Sequence, residues 1–103
     1  MKKIEAVILP LNLNAVRMEL QRRGIRCGLT VFAVQHSDSD ERLFSTERGD
    51  FETFRRRVKL ELIVDDPEAE KVINIILRVA RPEGDEEGGQ ITVLAVNEPC
   101  KAG

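Results

Sequence analysis

The sequence predicts an α+β fold, a ferredoxin-like βαββαβ sandwich with an antiparallel sheet and two helices on one face. Three observations carry this expectation. Two stretches of helical spacing are each framed by stretches that alternate every second residue. Proline or glycine stands at the junctions, and the strand–helix–strand order occurs twice within 103 residues, the length of one domain (1-103).

The first strand covers residues 3–9, where Ile4, Ala6 and Ile8 share one face and Lys3, Glu5, Val7 and Leu9 the other. Pro10 ends it, and Asn12 is placed to cap a helix carrying Leu13, Val16 and Leu20 at i, i+3 and i+7. Gly24, just after Arg22 and Arg23, suits the left-handed residue past a helix end. Residues 29–35 read as the second strand. Val58, Leu60, Leu62 and Val64 alternate with Lys59 and Glu61 in the third. Asp66 and Pro67 then form a cap with proline at the first helical position. Ala69, Val72, Ile73, Ile76, Leu77 and Ala80 make the apolar stripe of a second helix, which Pro82 and Gly84 stop. Residues 90–96 form the last strand, with Ile91, Val93 and Ala95 on one face.

In this architecture the second sheet face has no helices over it. Val7, Leu9, Ile63, Leu94 and Val96 fall on that face, so it is expected to be apolar and covered by a partner, a second copy being the best fit. The formal charge is only -2, from 16 basic and 18 acidic residues, which points to neither nucleic acid nor an anionic membrane. Cys27 and Cys100 form no metal-type or disulfide framework. The apolar run from Ile4 to Leu9 is too short for a signal peptide and contains Glu5, and no segment reaches membrane-span length. The expected setting is cytoplasmic.

Residues 36-57 interrupt the pattern. They hold six acids (Asp38, Asp40, Glu41, Glu47, Asp50, Glu52), five arginines (Arg42, Arg48, Arg55, Arg56, Arg57) and Phe44, Phe51 and Phe54. A connection of this length in a small domain is expected to be functional, here a partner-binding arm anchored by its phenylalanines.

Several residue identities resemble the PII signal-transduction proteins. The opening Lys2, Lys3, Ile4, Glu5 and Ala6, then Pro10, Leu13, Val16, Arg17 and Leu20, resemble the family's start. So do Gly24-Ile25 and Gly28-Leu29-Thr30-Val31, with one extra residue between these pairs. Residues 58–64 resemble its third strand, Arg48-Gly49 its large loop, and residues 89–93 the start of its fourth strand. The resemblance implies a homotrimer that binds adenine nucleotides between subunits and signals to a membrane transporter or enzyme through that large loop, the T-loop. It places the adenine at Thr30 and the backbone of Ile63 and Val64. It makes residues 81-89 the phosphate-facing B-loop, with Gly88 and Gly89 at the phosphates and Arg81, Gln90 and Lys101 as flanking contributors. Leu43, Phe44, Arg48, Gly49, Phe51 and Phe54 would then contact the regulated partner.

Departures from the family pattern redirect these expectations. The chain has no tyrosine to accept a nucleotidyl group, and Phe51 stands near that place. No counterpart of the T-loop glutamine for 2-oxoglutarate and magnesium is evident. Glu83, Asp85, Glu86 and Glu87 face the single base Arg81 in the phosphate loop, and Gln90 stands where a lysine is usual. Pro99 argues against a further strand, leaving Lys101 as the C-terminal base. Added phosphate charge meets added repulsion, so AMP or ADP is expected to bind in preference to ATP. The pattern is similar to PII-like proteins associated with bicarbonate transport and carboxysomes, which adds bicarbonate as a candidate ligand.

Other functions found on the same element order fit these residues less well. An RNA-recognition module needs aromatics on its third strand, and residues 58–64 have none. A heavy-metal domain needs C-x-x-C, and Cys27 stands alone. A trimeric metal-tolerance protein would need His36 with Asp38 or Asp40, so no metal site is assigned. A phosphate-handling enzyme could use Arg55, Arg56 and Arg57, but neither Ser45 nor Thr46 has a base nearby in sequence. No catalytic residue and no resident cofactor are expected; the chain reads as a regulator, not an enzyme.

Overall fold

A computed structural model describes residues 1–37, 54–81 and 91–96. Strand β1 (Lys2–Ile8) leads through a 3-10 turn (Pro10–Asn12) into α1 (Leu13–Arg22), then β2 (Gly28–His36). Strand β3 (Arg55–Val64), helix α2 (Asp66–Val79) and β4 (Ile91–Ala95) complete the order. The strands form one sheet in the order β2-β3-β1-β4, with every neighbouring pair antiparallel. This is the α+β ferredoxin-like sandwich expected from the alternation.

The core lies between the sheet and the helices. Ile4, Ala6, Ile8, Leu60 and Leu62 are fully buried on the sheet side, against Val16 and Leu20 of α1 and Val72, Ile75 and Ile76 of α2. The alternation of β1 and β3 was therefore read in the correct phase. Helix α2 differs. Ile75 is only 2% exposed, whereas Leu77, expected in the stripe, is 44% exposed. Ala69, Val72, Ile76 and Ala80 of the expected stripe are buried and Ile73 packs at its margin, so the stripe differs at one edge, where Ile75 takes the place of Leu77. The run from Val72 to Leu77 is aliphatic except for Asn74, so spacing alone does not decide between Ile75 and Leu77 at the edge of the stripe.

Two expected caps have other roles. Asn12 makes no cap bond to α1; its Nδ2 donates to the Ala80 carbonyl at 3.1 Å, tying the 3-10 turn to the end of α2. The N-cap of α2 is Asp65, whose carbonyl accepts from Glu68 N at 2.9 Å, while Asp66 pairs with the N-terminal ammonium at 2.9 Å. That ammonium holds the Asp66 carboxyl below its ordinary range. Gly24 has the expected positive φ, 72°, and Ile25 N returns to Leu20 O at 3.0 Å, closing α1 and turning the chain toward β2.

The β2–β3 ladder runs outward to His36 opposite Arg55. Thus His36 and Arg55–Arg57, the two ends of residues 36-57, are paired strand. Phe54, just before β3, is 39% exposed. Leu43, Phe44, Arg48, Gly49 and Phe51 lie outside the described residues, as do Gly88, Gly89, Gln90, Lys101, Cys100 and the four acids of residues 82–90.

Candidate functional site

The sheet face away from the helices is defined by register. Directly opposed residues share a face in an antiparallel pair, so Thr92, Glu5, Glu61 and Thr30 form one row across all four strands. Leu94, Lys3, Ile63 and Gly28 form the next row, and Val7, Lys59 and Phe32 lie on the other side.

This face is less apolar than the alternation suggested. Lys3 lies 3.2 Å from Glu5 and 3.5 Å from Glu61, and Lys59 lies 3.2 Å from Glu61 and 3.7 Å from Glu5. Each lysine touches both acids, so the four close a ring of alternating charge on the two central strands. Its hydrogen bond to Lys59 is the main reason Glu61 titrates below the ordinary carboxylate value. The bond to Glu5 is the main cause that raises the Lys3 ammonium. Lys59 Nζ also sits 5.8 Å from the centre of the Phe32 ring, within cation–π range. Ile63 (38% exposed) and Leu94 (44%) border the ring, so the face is a neutralised polar centre with apolar margins.

Thr30 and Ile63 meet at the β2 side of this face. Thr30 opposes Glu61 and Gly28 opposes Ile63, which makes Thr30 and Ile63 diagonal neighbours on one surface. Val64 turns its side chain into the core at 3% exposure, so it can serve a ligand only through its backbone. Among the described residues its strand partner is Lys2 of β1 alone, because β2 begins opposite Ile63.

Arg81 does not join this cluster within one chain. It follows α2, whose 14 residues span about 20 Å away from Val64. Its backbone adopts φ 46°, the sole non-glycine positive φ among the described residues. Ala80 N and Arg81 N both return to Ile76 O, at 2.9 and 3.2 Å. The helix therefore ends at Val79, before Pro82 and Gly84, the residues expected to stop it. An arginine in the left-handed region costs about 1 kcal/mol over glycine, the kind of local strain found where a segment must be aimed.

Among the described residues no group of three His, Cys, Asp or Glu side chains is placed to hold a metal. Asp38 and Asp40, the partners considered for His36, lie outside the described residues. Cys27 is half-buried, and burial with the nearby Glu68 charge pushes its thiol above the ordinary value. That favours the unreactive thiol form at neutral pH. No described helix is long and apolar enough to cross a membrane.

Sequence reasoning did not find the cluster on the helical layer. Glu19 accepts hydrogen bonds from Arg22, Arg23 and Arg78 at 2.8 to 3.1 Å. The i, i+3 and i+4 spacings of Arg22 and Arg23 were legible, but Arg78 arrives from the other helix.

With this geometry established, comparison with known proteins gives a consistent result. The family model described as "Nitrogen regulatory protein P-II" matches residues 1–101. The chain belongs to the P-II family. It is 32% identical over 107 residues to "Nitrogen regulatory protein P-II" of Nostoc punctiforme, covering 95% of this chain and 88% of that one. It is 32% identical over 110 residues to the protein of the same description from Rhodospirillum rubrum, covering 98% and 90%. A "Nitrogen regulatory protein P-II homolog" of Arabidopsis thaliana is 35% identical over 100 residues, spanning 93% of this chain and half of the plant protein. P-II membership makes the chain a regulator of signal transduction, in preference to the metal-tolerance and phosphate-enzyme readings of the same architecture.

Proposed function

We propose that this P-II protein is a homotrimeric sensor that binds AMP or ADP in preference to ATP between subunits and regulates a transporter or enzyme through residues 36-57. The observation that carries the proposal is the division of its nucleotide-binding elements. Thr30 with the backbone of Ile63 and Val64 would take the adenine, while Arg81 begins the phosphate-loop segment about 20 Å away along α2. One nucleotide reaches both ends only if a second copy brings its phosphate loop beside the first copy's adenine edge. The uncovered sheet face supports such packing, because its charge ring is internally neutral and a neighbour can cover it without leaving an unpaired charge.

The preference for AMP or ADP follows from the four acids and one arginine in residues 81-89. Backbone amides of Gly88 and Gly89 would accept one or two phosphates, and Gln90 and Lys101 would contribute flanking donors. Bicarbonate fits the proposal as a second, small anionic ligand. Differential binding to two states of residues 36-57 would transmit the signal, with Phe44, Phe51 and Phe54 as anchors on the regulated protein.

Light scattering after size exclusion tests the assembly. A mass near three times 11.6 kDa is expected. A monomer at micromolar concentration, with and without nucleotide, would refute the intersubunit site.

A further inference from the structure

The outer surface of α1 and its C-cap carries a local excess of positive charge in a chain of net charge -2. Arg22 grips Glu19 with two nitrogens, at 3.0 and 2.8 Å, and Arg23 and Arg78 each reach the same carboxylate at 3.1 Å. Arg17 turns to a neutral partner, Asn14 Oδ1, at 2.7 Å. Glu19 is the one acid in α1, set against Arg17 and Arg22 of that helix and Arg23 at its cap, and Arg78 joins it from α2, which itself carries Asp66, Glu68 and Glu70. Beside them Met18 is 60% exposed, and Ala15, Met18, Glu19, Gln21 and Arg22 line a shallow depression of about 420 Å³.

We propose that this surface docks an acidic segment of a partner protein, a contact separate from the large loop and from the sheet face. Each guanidinium has five donors, of which Glu19 takes one or two, so donors remain for further carboxylates. Glu19 also holds Arg22, Arg23 and Arg78 in place, which lowers the ordering cost when an anionic partner arrives. The exposed methionine offers an adaptable apolar contact for a side chain of that partner. A nucleic acid fits less well, since neither α1 nor α2 contains an aromatic on which a base would stack. An anionic bilayer fits less well too, because α1 presents Asn14, Arg17 and Gln21 outward beside Met18, too little apolar area to insert.

The test is fluorescence anisotropy of the full chain with a labelled helical peptide rich in glutamate and carrying leucine anchors. Binding is expected at low salt and should weaken about tenfold or more at roughly 0.5 M NaCl. Arg17→Gln and Arg78→Gln should each weaken it about two- to fivefold, and together about tenfold, with unchanged circular dichroism. Arg17 lies outside the Glu19 cluster, so its replacement leaves that network intact. Arg55→Gln with Arg56→Gln, on the β2–β3 ladder, should leave binding unchanged. The proposal is overturned if the peptide does not bind, or if the Arg55 and Arg56 changes abolish binding while those at Arg17 and Arg78 do not. Tighter binding of single-stranded DNA or phosphatidylserine vesicles through the same arginines would overturn it equally.

Discussion

The phase of α2 decides which residues the second helix presents to solvent, and Ile75 and Leu77 report it in opposite senses. Ile75 is 2% exposed and Leu77 is 44% exposed. Truncating Ile75 to alanine removes three buried carbons, worth about 2.4 kcal/mol by transfer, and an incompletely collapsed cavity brings the cost to about 3 kcal/mol. Leu77 has given up only about half of its surface, so Leu77→Ala should cost about 1 kcal/mol. For a domain of this size the corresponding falls in melting temperature are about 15 °C and about 5 °C. Thermal and urea unfolding of the two variants at one fixed protein concentration measures both, since the proposed assembly would link stability to concentration. If Ile75→Ala does not fold, Ile75→Val should cost about 1 kcal/mol and keeps the comparison open. A Leu77→Ala loss equal to or larger than that of Ile75→Ala would refute the phase, and with it the outward placement of Arg78.

Arg81→Gly should raise stability by about 1 kcal/mol, because glycine adopts the left-handed backbone without penalty, while weakening nucleotide binding; urea midpoints and calorimetry read the two effects. Asn12→Ala should cost about 1 kcal/mol through loss of the bond to Ala80 O, measured by urea unfolding. Stability should also depend on pH at both ends. Glu61 and Glu19 titrate below their ordinary 4.5 in the folded chain, so their contribution is present above that pH and is lost as pH falls through the folded values. Lys3 is raised above 10.5 and the Cys27 thiol above 9.0, so their contributions are present below those values and are lost as pH rises through the folded ones. Urea midpoints from about pH 3 to 11 should form a plateau with two falling flanks, and a maximum at the acidic flank would contradict the ion-pair ring.

Strand order and phase were legible because alternation is a local property. Ile4, Ala6, Ile8, Leu60 and Leu62 each lie buried where their spacing put them. Helix phase was legible in α1, where Arg17 and Glu19 flank Met18 between Val16 and Leu20, and legible in α2 except at the edge of the stripe, where nearly continuous aliphatics left Ile75 and Leu77 undecided. The caps were misread for a different reason. Asn12 and Asp66 have the chemistry of caps, but long-range partners, Ala80 O and the N-terminal ammonium, claim their side chains. Alternation did place Lys3, Glu5, Lys59 and Glu61 on the uncovered face. Only the β1–β3 register shows that they close into a ring, which makes that face less apolar than the scattered valines and leucines implied. Thr30 and Ile63 were picked out by family resemblance, and their adjacency is a product of register across β2 and β3. The separation of Arg81 from them follows from the length of α2.

The central claim is that this P-II protein reads adenine nucleotides with a reduced tolerance for phosphate charge. Isothermal titration of the full chain with AMP, ADP and ATP, each with and without bicarbonate, tests it most directly. The account predicts saturable binding of AMP or ADP at about one site per chain and clearly weaker binding of ATP. Tight ATP binding with little for AMP, or no binding of any nucleotide under either condition, would contradict it.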